Sequence, residues 1–170
     1  MNIKIKRLIL AIFIIINCMC IFFLSGQDAE KSSKTSGVVV EKVADTITSI
    51  NKKVSKETIV DNVTFYVRKT AHFSIYTLLG MLLMCEANTF EVSKKRRLVV
   101  SIIFGALYAL SDEFHQGFVS GRSPEMRDVC IDTCGVLFGI IIILIIGKIL
   151  YSVKKIRNYQ IREVVKENSK

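Results

Sequence analysis

A chain of 170 residues could make one soluble domain, but 51% of this one is apolar, Trp is absent and Pro occurs once, at Pro124. That is a membrane composition. The formal charge of +9 raises the question of nucleic acid, yet the basic residues lie between apolar runs and form no single basic face, so no nucleic-acid partner is expected.

The first apolar run, residues 8–24, follows Lys4, Lys6 and Arg7. Cleavage as a signal peptide is disfavoured, because no small residue stands three before a cut near Ser25, and Asn17 occupies the place where a lipoprotein box needs a small side chain. The run is therefore a retained span. Residues 25–63 open polar and then place Val43, Ile47, Ile50 and Val54 at helical spacing between charges. That spacing predicts an amphipathic helix at the outer interface or over the bundle, with a solvated linker helix as the alternative.

A second span covers residues 71–85 and extends back through Thr64 if Arg68 and Lys69 reach the headgroups. Residues 98–110 are short of the roughly 20 that a span needs, so the third helix continues into the polar stretch 111–118. The fourth span, residues 129–150, carries Asp132 in its first turns. The cysteines, Cys18, Cys20, Cys85, Cys130 and Cys134, lie in or beside these runs without a CxxC pair, as apolar-compatible residues and not as a disulfide or zinc framework.

Placing the N-terminus, the loop that ends in the basic run 93–97 and includes Glu86 and Glu91, and the tail after Gly147 in the cytoplasm puts 14 of the 24 Lys and Arg there with 4 of the 15 acids. The positive-inside rule thus predicts four spans with both termini cytoplasmic. The start of the second span, the end of the third and the start of the fourth then meet at the outer face. Arg68, His72 and Tyr76 share one helical face. Ser101, Gly105, Tyr108, Asp112, His115 and Gln116 form a second stripe, and Asp128, Asp132, Gly135 and Gly139 a third. Small residues on the last stripe bring backbones together and turn its acids into the bundle, since a lipid-facing Asp132 would cost a few kcal/mol.

These residues predict an outward-facing polar pocket or, alternatively, ion pairs that fix helix register. Arg122, on the turn 121–124, is either an anion clamp over the pocket mouth or a solvated turn charge. Imidazole and carboxylate suit zinc or manganese, so His72, His115, Asp112 and Asp128 or Asp132 leave a metal chemically open. No His-Glu-x-x-His pattern accompanies them, and neither metal nor cofactor is assigned. Ser111 and Ser123 stand in no nucleophile elbow.

The run Arg68-Lys69-Thr70-Ala71-His72 with Tyr76, then Ser111-Asp112-Glu113-Phe114-His115-Gln116 with Phe118, Gly121-Arg122, Asp128 and Gly135, resembles the VanZ-like family of bacterial membrane proteins. The likeness extends from about Val67 to Gly139. It departs at Asp132, where an Asn is expected, and at Ser120, where a Pro commonly precedes the Gly-Arg pair. The resemblance implies a bacterial plasma-membrane protein, the family's namesake raising resistance to teicoplanin, a lipoglycopeptide that acts on cell-wall precursors.

The expected fold is all-α, a four-helix transmembrane bundle with an outer amphipathic helix. Its parts are a first transmembrane helix (1–24), an outer loop (25–63), a VanZ-like core of three spans (64–150) and a basic cytoplasmic tail (151–170). The expected ligand-binding residues are Arg68, Lys69, His72, Tyr76, Asp112, Glu113, His115, Gln116, Arg122, Asp128 and Asp132. In a non-enzymatic reading the basic groups take an anionic headgroup on a lipid-linked cell-wall precursor or lipoglycopeptide. The alternative is a membrane-embedded enzyme on a lipid-linked substrate, with Glu113 or His115 as general acid or base. A small transporter is disfavoured, because the polar residues do not continue to the cytoplasmic half.

Overall fold

Four apolar runs become four helices: α1 (Ile3–Ser25), α2 (Lys56–Ala87), α3 (Lys94–Gln116) and α4 (Met126–Glu167). The computed structural model describes residues 2–26, 37, 45–46, 56–119 and 124–167, and the described residues contain no strand. Val43, Ile47, Ile50 and Val54 of the expected amphipathic helix, and Arg122 of the expected clamp, lie outside the described residues.

Each helix is long and apolar enough to cross a membrane. In hydrocarbon every backbone N–H and C=O must be satisfied within the segment, which a helix does. The ends are closed by local hydrogen bonds. Asn2 caps α1, its Oδ1 accepting from the Lys4 N–H at 3.0 Å, and the Gly26 N–H returns to the Phe22 carbonyl at 2.9 Å. Ser93 caps α3 by accepting from the Arg96 N–H at 3.3 Å.

Contacts at the two ends give the direction of the helices. Arg7, at the start of α1, reaches Thr89 just beyond α2, whereas Ser25, at the end of α1, reaches Asp112 in the last turns of α3. Successive helices therefore alternate in direction. Ile21, Tyr76, Leu79, Leu83, Met84, Ala109, Val136 and Ile140 form the buried core between them. Phe13, Phe23, Leu107 and Ile149 are each more than half exposed, on an outer surface that suits lipid and not water.

The most extensive interface joins α2 to α4. Backbones touch there. A Cβ on Gly139 would overlap the Thr77 carbonyl oxygen, and one on Gly80 the Val136 carbonyl oxygen. The helix-four stripe of Asp132, Gly135 and Gly139 is thus the packing seam expected from its spacing, and all three residues are buried.

Two helices run further than their hydropathy indicates. α2 starts at Lys56, inside the expected loop, and α4 continues through the basic tail to Glu167. No Pro or Gly interrupts residues 148–167, and Lys, Arg and Glu are good helix formers, so nothing local stops the helix. At 1.5 Å per residue α4 is about 63 Å long, roughly twice the hydrocarbon thickness, and its last turns must leave the bilayer. All five cysteines are free.

Candidate functional site

Polar residues of three helices converge where α1 and α3 finish, α4 begins and α2 is close to its midpoint. α3 contributes Asp112, Glu113 and Gln116, all buried, because its apolar face ends one turn earlier at Ala109 and the helix continues along the same stripe. Asp112 is 4% exposed and sits at the centre. Its Oδ2 accepts from the Ser25 hydroxyl at 3.0 Å, the Tyr76 hydroxyl at 3.1 Å and Gln116 Nε2 at 3.3 Å. Gln116 Nε2 also donates to Ser25 Oγ at 2.5 Å.

Three donors fix the orientation of the Asp112 carboxylate from α1, α2 and its own helix. Its other oxygen, Oδ1, is buried without a hydrogen-bond partner. A buried carboxylate oxygen left in this state costs on the order of 1–3 kcal/mol, more if charged.

α4 contributes Asp128 and Asp132, one turn apart. Asp128 forms an ion pair with Lys69 of α2, and Asp132 Oδ2 lies 3.7 Å from His72 Nδ1. Arg68 precedes Lys69 and is half-buried, one turn before His72 on the same face. Glu113 ties down the approach to α4, since its Oε1 accepts the backbone N–H of Glu125 at 2.5 Å while Oε2 remains buried without a partner. The short pairing of Arg127 with Glu125, at 2.7 Å, is an exposed contact outside this cluster.

His115 points elsewhere. Its imidazole stacks on Phe22 of α1, ring centroids 4.1 Å apart and planes inclined by 23°. No hydrogen bond joins it to Glu113 or Asp112 among the described residues, so of the two acid-base candidates only Glu113 lies in the cluster. Tyr108, on the stripe with Asp112, donates to the Cys18 carbonyl at 2.6 Å and likewise serves the contact with α1.

The structure therefore brings together Lys69, His72, Tyr76, Asp112, Glu113, Gln116, Asp128 and Asp132, with Arg68 alongside and His115 on the α1 flank. Ser25 is the residue the sequence reading missed. It is fully buried, and Asn17, Ile21 and Ser25, each four apart, are the three buried residues of α1. Two polar residues, Asn17 and Ser25, two turns apart on one face of an otherwise apolar helix were the available signal.

Among the described residues the cluster carries four carboxylates, with Lys69 paired to Asp128 and Arg68 alongside. His72, Asp112 and Asp132 also place one ligand-type atom each within 4.8 Å of one another.

Comparison with curated proteins and with solved structures finds no match. The model of the family described as VanZ/LLP1 matches residues 10–147, from within α1 to the middle of α4, and so covers every described residue of the polar cluster. An all-α bundle of membrane-crossing helices, matched over that much of its length, belongs to the VanZ/LLP1 family.

Proposed function

We propose that the protein lies in a bacterial plasma membrane with both termini in the cytoplasm, and that its polar cluster opens to the outer face. There it binds the polar group of a lipid-linked cell-wall precursor or a lipoglycopeptide, and so contributes to resistance against teicoplanin-type drugs. The observation that carries this reading is the set of buried, unpartnered acceptors, Asp112 Oδ1, Glu113 Oε2 and Asp128 Oδ1, gathered at one end of the bundle. Oriented acceptors without donors suit a ligand rich in hydroxyl and amine groups. Arg68 and Lys69 of α2, and Arg122, which precedes α4 in the sequence, supply cations for a phosphate or carboxylate on the same ligand.

Binding without turnover is favoured over catalysis because His115, one of the two acid-base candidates, stacks on Phe22 and stands outside the cluster. The test is teicoplanin susceptibility of cells expressing each variant at matched membrane levels. Asp112→Asn should remove protection, and Arg122→Lys should weaken it substantially, since Lys keeps the charge but loses the bidentate fork. Protection by Asp112→Asn equal to wild type, or a loss that merely follows a fall in protein abundance, would overturn the reading.

A further inference from the structure

We infer that His72, Asp112 and Asp132 form a binding site for a single divalent transition-metal ion, of the zinc or manganese type, which clamps α2, α3 and α4 together. The three residues come from three different helices and yet present ligand-type atoms within 4.8 Å of one another. Zinc bonds to imidazole nitrogen and carboxylate oxygen are about 2.0–2.2 Å long, so small side-chain movements close the trio onto an ion.

Charge and burial argue in the same direction. Asp112 and Asp132 are 4% and 2% exposed, and the lysine nearest to hand, Lys69, is already paired with Asp128. Two carboxylates brought together in a poorly hydrated site repel each other and lose hydration, and a dication offsets both penalties at once. His72 lies at 3.7 Å from Asp132, too far for a good hydrogen bond. The imidazole thus remains available as a ligand.

The surroundings of Asp112 are those of an oriented metal ligand. Oδ2 is held by Ser25, Tyr76 and Gln116, while the buried Oδ1 has no partner. Hydrogen bonds of that kind fix the direction of a coordinating carboxylate and are common around protein metal sites. Imidazole with two carboxylates favours zinc or manganese over calcium and magnesium, which prefer oxygen alone. This inference does not rest on the headgroup reading, because it requires only the three side chains.

The full chain, purified in mild detergent and stripped with EDTA, is offered zinc chloride or manganese chloride, passed through gel filtration and assayed for retained metal by mass spectrometry. One ion per chain should be retained, with a rise in melting temperature. Asp132→Asn, which preserves shape, and His72→Gln should each weaken affinity by about tenfold or more, and neither should show the metal-dependent rise. Arg127→Ala, outside the cluster, should behave as wild type.

Circular dichroism and gel-filtration profiles of the stripped variants verify folding, and the isosteric Asp132→Asn carries the test if His72→Gln fails to assemble. No retained metal, equal retention by Asp132→Asn, or equal affinity for magnesium and calcium would overturn the inference. Headgroup binding that persists in EDTA while no metal is retained would reject this site and leave the proposed function standing. Retained metal without headgroup binding would do the reverse.

Discussion

The two ends of the bundle handle charge in opposite ways. Where α1 begins, cations rest on neutral acceptors: Arg7 donates to Thr89 Oγ1 at 3.1 Å and to the Thr89 carbonyl at 2.7 Å, and its guanidinium lies 4.1 Å from the centre of the Phe90 ring. Arg97 donates to Asn88 Oδ1 at 2.9 Å. The buried atoms left over there, Glu86 Oε2 and Arg97 Nε, come from one acid and one base.

Where α1 ends, the atoms left over are three carboxylate oxygens, of Asp112, Glu113 and Asp128, and Nδ1 of His115. The first end uses its arginines to fasten the turn at Asn88 and Thr89. The second leaves several buried carboxylate oxygens without a partner in the chain, at a cost in stability that a water, a ligand, an ion or a proton would offset.

This comparison predicts that mutations at the two ends will move stability in opposite directions. The largest effect should come from Arg7→Ala, which removes two hydrogen bonds from a charged donor and the contact with Phe90. A loss of about 1.5–3 kcal/mol is expected in detergent unfolding, with the site end unaffected. A neutral result would mean that the turn at Thr89 is held by other contacts.

Asp132→Asn should act with the opposite sign in metal-free buffer. Removing one of two crowded carboxylates while keeping its shape should leave stability unchanged or raise it by roughly 1 kcal/mol. A marked destabilisation would instead show that the His72–Asp132 contact is a structural ion pair, and the contrast between the ends would fail. The smallest effect belongs to Arg127→Ala. Its pair with Glu125 is well exposed, with side chains 63% and 47% accessible, so the change should stay below about 1 kcal/mol and shrink further with salt.

Much of this arrangement was legible before any coordinates. Hydropathy and helical period depend on residues near one another in the chain, so the four spans, the extension of the third helix into the polar stretch after Leu110, and the seam of Asp132, Gly135 and Gly139 could all be read directly, although that helix stops at Gln116 and not at 118. Element ends were less legible. Apolar content drops before the backbone stops being helical, and α2 and α4 continue into polar residues because no Pro, Gly run or capping signal breaks them.

The sequence by itself determined that the polar residues of α2, α3 and α4 would share one end of the bundle, because hydropathy places the spans and antiparallel succession does the rest. Which side chains meet there was decided by tertiary packing alone. Helical period fixes the relative angles of residues on one helix but says nothing of how that helix is rotated against its neighbours. The close approach of α2 and α4 at Gly80 and Gly139 pairs Lys69 with Asp128, and the rotation of α1 brings Ser25 onto Asp112 while Phe22 takes His115 out of the cluster.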